Sequence, residues 1–138
     1  MTALPSLPQV LEEYRFVEPE DRYRLLIDLG NSLEPMPDAF KTDATKVRGC
    51  SASVWVYPTN DEGRLHFLAD SDAAITKGIV ALVLTTVQDR PAAEVANLDI
   101  AECLAPFELG KHLSANRTQG VPSMIKLIKE TAARFAAG

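Results

Sequence analysis

Val54-Trp55-Val56-Tyr57-Pro58-Thr59-Asn60-Asp61-Glu62-Gly63-Arg64-Leu65-His66-Phe67-Leu68-Ala69 is the stretch that decides the fold. Val54 and Val56 fall on one face and Trp55 and Tyr57 on the other, the two-residue period of a strand. Both faces are apolar, so this strand is expected to be central, with Trp55 in the core. Pro58 to Gly63 is a cluster of turn formers, after which Leu65, Phe67 and Ala69 alternate again, so an antiparallel hairpin joins two strands. Two strands alone are marginal in water. A third is needed, and the stretch from Lys41 to Gly49 is expected to supply it.

Downstream, Asp70-Ser71-Asp72 is suited to capping a helix, and the apolar segment Ala73 to Val87 that follows covers most of a helical circumference, the mark of a buried core helix. Gly78 in its interior costs about 1 kcal/mol against Ala, which points to close packing there. Upstream, Ser6 is an N-cap candidate for a helix from about Pro8 to Phe16. A second helix starts near Pro19, carries the stripe Tyr23, Leu26, Leu29 and Leu33, and is ended by Pro35 and Pro37. Beyond the core helix, Pro91 opens a short helix, Ile100 to Phe107 forms another that Gly110 stops, and residues 110 to 120 read as a polar loop. Met124, Ile125, Ile128, Ala132 and Phe135 define a last amphipathic helix from Pro122. Strands and helices are segregated, so the class is α+β: a small antiparallel sheet of about three strands flanked by helices.

The 138 residues suffice for a real core without metal or disulfide staples. Fourteen Lys and Arg against nineteen Asp and Glu give a net charge of -5, which opposes loose association with nucleic acid or anionic membrane. The longest apolar run, Ile79 to Leu84, is far short of a membrane span. Met1 to Pro5 lacks a basic region followed by an apolar one, so no secretory signal is expected and the cytoplasm is the expected compartment. Neither cysteine has a neighbour for a C-x-x-C pair, and His66 and His112 have no metal-binding spacing. No resident cofactor or metal is expected.

Cys50 stands in Lys46-Val47-Arg48-Gly49-Cys50-Ser51-Ala52-Ser53, on a loop or strand entrance. Gly49 permits unusual backbone angles, the small residues after the thiol leave it accessible, and Lys46 and Arg48 add positive charge that favours a thiolate. An unperturbed thiol, with a pKa of about 8.5, is only slightly ionised at neutral pH, and exposed cations are screened. From the residues alone, both an inert free thiol and a nucleophile stay open. Cys103, among Ile100, Ala101, Leu104 and Phe107, reads as a small hydrophobe on a helix. His112 and Arg117, in the loop before the last helix, read as solvated unless something else recruits them.

Taken in order, Tyr23-Arg24-Leu25-Leu26-Ile27-Asp28-Leu29-Gly30, the Gly49-Cys50 step followed by Val54-Trp55, the block Asp70 to Gly78, and His112-Leu113 followed by Arg117 and Gly120 resemble the SufE and CsdE family of sulfur-acceptor proteins. The resemblance spans roughly residues 20 to 135. It implies one SufE-like domain over residues 1–138, with the fold shared by IscU-type scaffolds. It also implies that Cys50 takes persulfide sulfur from a pyridoxal-phosphate-dependent cysteine desulfurase of SufS or CsdA type, stimulates that enzyme as a stoichiometric partner, and delivers sulfur to an iron-sulfur scaffold of SufBCD type or another acceptor. Gly49, Ser51, Asp72, Lys77, His112 and Arg117 map onto the family's motifs as loop or partner contacts. One departure stands out: where the family pattern runs Gly-Cys-Gln-Ser-Gln-Val-Trp, this chain has Ser51, Ala52 and Ser53, so contacts made by those amides do not carry over.

Three rivals remain on the sequence. An IscU-type scaffold would hold a cluster, but clusters are held by several thiolates and only Cys50 is well placed. A one-cysteine peroxide reductase or redox sensor would oxidise Cys50 to a sulfenic acid. A noncatalytic interaction module would leave the thiol incidental.

Overall fold

The computed structural model describes residues 4–138; the expectation about a leader at Met1 to Ala3 lies outside them. Helix α1 (Leu7–Phe16) starts at a complete capping box, in which Gln9 N–H donates to Ser6 Oγ and Ser6 N–H donates to Gln9 Oε1. A 3₁₀ turn at Pro19–Asp21 leads into α2 (Arg22–Asn31). The hairpin is β1 (Val54–Asp61) and β2 (Arg64–Ser71), antiparallel with Val54 opposite Ser71 and Asp61 opposite Arg64. Core helix α3 (Ala74–Thr85) follows, then β3 (Arg90–Pro91), α4 (Ala92–Asn97), α5 (Ile100–Leu104), α6 (Leu109–His112), α7 (Ala115–Thr118) and α8 (Val121–Ala137). Among the described residues no helix is long and apolar enough to cross a membrane.

The α+β class with three antiparallel strands is what forms, but the third strand is not the expected one. The sheet order is β1-β2-β3, with Arg90 and Pro91 pairing Leu65 and Arg64. The stretch from Lys41 to Gly49 contributes only a bridge from Lys46 to Trp55, flanked by the bonds Val47 N–H to Val54 O and Val56 N–H to Thr45 O. β2, not β1, is therefore central. The outer face of β1 is apolar because a loop covers it: Phe40 stacks on Tyr57 with centroids 4.6 Å apart, and Lys41 Nζ sits 5.8 Å from the centre of the Trp55 ring. Trp55 is accordingly half-buried and outside the core.

Two further expectations are corrected. Asp70, Ser71 and Asp72 do not cap α3 with their side chains: Ala73 is the N-cap residue, and the two aspartates serve other partners. Asp70 is drawn to Lys41 and Lys77, at 2.8 and 3.3 Å, and Asp72 to the backbone of Ser53. Nor does Gly110 stop a helix. A 3₁₀ turn at Ala105–Phe107 continues α5, the reversal occurs at Glu108 with φ 49, and Gly110 lies inside α6. The stretch read as a polar loop is two short helices.

Helices α2 and α3 pack with their backbones in direct contact. A Cβ on Gly78 would collide with the Leu26 carbonyl and lie 2.9 Å from Leu26 Cβ, and one on Gly30 would lie 2.8 Å from Gly78 N. The two glycines let the backbones touch, and Leu26, Leu29, Ile79 and Leu82 of the two helices are buried. Gly78→Ala gains about 1 kcal/mol of helix propensity but must push the two helix backbones apart, at an overpacking cost of about 1–3 kcal/mol, for a net loss of up to about 2 kcal/mol in urea unfolding. Gly110→Ala, with nothing within 4 Å of the added methyl, is expected to leave stability unchanged or raise it slightly.

Candidate functional site

Cys50 lies at the tip of a loop between the Lys46 bridge and β1. Gly49 before it has φ +87, a left-handed conformation that glycine adopts freely, and this turn directs the next side chain back toward the body of the protein. The thiol is half-buried and packs against the edge of the core. It rests on Gly120, the buried residue that caps the start of α8. A Cβ on Gly120 would overlap Cys50 Sγ and stand 3.1 and 3.2 Å from Cys50 Cβ and Cα. The cysteine side chain thus fills the space that any other residue at 120 would claim.

Other contacts tie the loop down. Gln119 Nε2 donates to Ser51 Oγ at 2.7 Å, so an amide arrives from the end of α7 where this chain lacks glutamines beside the cysteine. On the other side, Ser53 N–H donates to Asp72 Oδ1 at 3.1 Å, and Asp72 N–H returns a bond to Ser53 O at 3.3 Å. Ser123, in the first turn of α8, stands against Gly49. Of the residues singled out in the sequence, Gly49, Cys50, Ser51 and Asp72 are thus brought together. Lys77 is not among them: its ammonium faces Asp70.

His112 and Arg117 act one step removed. Arg22, at the start of α2, points its guanidinium at His112 Nε2 at 2.8 Å, the Tyr23 hydroxyl donates to the His112 carbonyl at 2.8 Å, and Arg117 lies 5.7 Å from the centre of the Tyr23 ring. These bonds anchor α6 and α7 to α2, and the chain runs from α7 directly into Gln119 and Gly120. Sequence reasoning missed Gln119, Ser123 and Arg22, none of which carries an unusual local pattern. Cys103 sits half-buried in α5 as a free thiol.

The electrostatics reverse the expectation from Lys46 and Arg48. Both side chains stay in solvent, and burial pushes the Cys50 thiol pKa up from its ordinary value. No cation or hydrogen-bond donor among the described residues offsets that burial at the sulfur. In this state the sulfur is a neutral thiol, sheltered and weakly nucleophilic.

The family described as "SufE: Fe-S metabolism associated domain" matches residues 9–132. The chain belongs to the SufE family. An uncharacterized SufE-like protein of Rhizobium etli is 39% identical over 135 residues, covering 94% of this chain and 90% of that protein. One from Rhizobium meliloti is 37% identical over 134 residues, covering 94% and 96%. The solution structure of a hypothetical protein from Thermus thermophilus superposes with a TM-score of 0.77 over 99% of both chains. Its 15% identity makes that a statement about the fold alone. The SufE match associates the chain with iron-sulfur metabolism.

Gly120 has φ -84 and ψ -9, which any residue tolerates, so Cys50 is the main obstacle to a side chain there. Gly120→Ala is expected to keep the fold and evict the thiol. A raised thiol pKa means that docking is favoured below the free-thiol pKa and is lost as pH rises through the docked value. On a Cys103→Ser background, iodoacetamide labelling against pH should therefore give an apparent pKa above that of the denatured chain. Gly120→Ala should bring the two together with faster labelling at pH 7; an unchanged profile would count against the seat.

Proposed function

We propose that this SufE-family protein is a carrier of sulfane sulfur with Cys50 as the acceptor. A pyridoxal-phosphate-dependent cysteine desulfurase of SufS or CsdA type is the donor. The thiolate of Cys50 bonds to the outer sulfur of the donor persulfide while the donor's S–S bond breaks, its electron pair leaving on the donor's own thiolate. One sulfur changes hands, with no external oxidant. By removing the persulfide the carrier raises desulfurase turnover as a stoichiometric partner, and it hands the sulfur to an iron-sulfur scaffold of SufBCD type or another acceptor. The chain works as one SufE-type unit in the cytoplasm, without nucleic acid or membrane.

The observation that carries this reading is the seating of Cys50: a lone thiol, on a loop hinged at a left-handed glycine, resting against Gly120 rather than built into the core. A donor sulfur lies inside another protein's active site, so the acceptor must reach. A loop held by a few exposed hydrogen bonds alternates cheaply between a tucked state and an extended one, since each such bond contributes only about 1 kcal/mol. Extension also returns the thiol to water, where its pKa falls and the thiolate needed for attack becomes available. A resident peroxide-reducing cysteine is disfavoured, because it would need its thiolate at rest, and burial opposes that here.

Intact-mass spectrometry after incubation with a desulfurase and cysteine should show one added sulfur that maps to Cys50. Cys50→Ser should abolish both the adduct and the stimulation of the desulfurase while preserving the fold, and Cys103→Ser should alter neither. Equal loss in the two variants would refute the assignment.

A further inference from the structure

We propose that the seat of Cys50 accepts only the empty thiol, so that loading a second sulfur expels the loop and presents the cargo; this rests on the sulfur-acceptor reading. Space is the first reason. Cys50 already lies across Gly120 so closely that its sulfur would overlap a Cβ placed there, and its own Cα and Cβ are within 3.2 Å of that position. A persulfide bond extends the side chain by about 2 Å. The helix side of the thiol cannot take it.

Charge is the second reason. A persulfide is a stronger acid than its parent thiol, so at neutral pH Cys50–S–SH gives its proton to water and becomes Cys50–S–S⁻. Among the described residues no cation and no hydrogen bond reaches the sulfur in the seat, and burial there already disfavours the thiolate. Lys46 and Arg48, on the segment leading into Cys50, are exposed, so an extended loop returns the anion to water near two cations.

The opposing forces are small. Gln119 and Ser51 are both exposed, so their bond is exchanged for bonds to water, and the Asp72 contacts to Ser53 lie at the far end of the loop. Gly49 at φ +87 supplies a hinge. The protein therefore reports its own cargo: tucked when empty, extended when loaded, tucked again after delivery.

The test uses the full chain carrying Cys103→Ser. Cys50 is loaded with inorganic polysulfide, which its thiolate attacks. A new S–S bond forms, a polysulfide S–S bond breaks, and the electron pair leaves on the shortened polysulfide. Intact mass confirms one added sulfur. Hydrogen exchange over residues 47–53 and 119–123 should then be clearly faster than in the empty protein, as expected when the contacts that hold the loop are released. It should match the level set by Gly120→Ala and return to the empty level on reduction with dithiothreitol. Carboxymethylation with iodoacetate, a lasting anionic load on the same sulfur, should open the loop equally. Loaded protein that exchanges as slowly as empty protein overturns the proposal. No desulfurase takes part, so a chain that opens on polysulfide loading yet never takes sulfur from a desulfurase would refute the acceptor reading and leave the selective seat standing.

Discussion

The contact of Gly78 with the Leu26 backbone is the constraint from which the rest of the molecule is laid out. Dispersion and apolar burial fall off steeply with separation, so two helices whose backbones touch act as one rigid slab against the hairpin. That slab fixes where the first turn of α2 lies, and from there Arg22 and Tyr23 hold His112 and, through the Tyr23 ring, Arg117. The two short helices that carry those residues have too few internal bonds to stand alone. They are held from outside, and they deliver Gly120 to the place where Cys50 meets it.

The site combines a stiff floor with a soft cover. Gly120 begins the longest helix, whose Met124 and Ile128 are buried in the core, so the floor does not yield. The cover is a loop with a left-handed glycine and a few polar ties to solvent-exposed groups. Nucleophilicity in the seated state is set less by the cations in the local sequence than by burial of the sulfur. Lys46 and Arg48 are close in the chain but remain in water, where screening weakens them, while burial acts on the sulfur directly.

Period-two alternation at Val54 to Tyr57 and the saturated apolar face of residues 73 to 87 made hairpin and core helix legible, since both are local patterns with one burial solution. Gly78 was legible too, because a glycine inside such a helix needs a reason. What could not be read depends on partners distant in sequence. Trp55 looks like core until a loop with Phe40 and Lys41 is seen to cover it, and Asp70 and Asp72 look like caps until Lys41, Lys77 and Ser53 compete for their side chains. The thiol itself stood out as a candidate, and the resemblance to SufE gave it a role. Its floor did not stand out, because Gln119 and Ser51 meet across 68 residues and no pattern near either announces the other.

Gly120 also bears on the chemical survival of the thiol. Peroxide and stray disulfides attack a thiolate in water, so a neutral, half-buried sulfur lodged against a helix start is shielded from them while it is seated. A single missing methyl at the head of α8 thus makes room for the sulfur that it shelters.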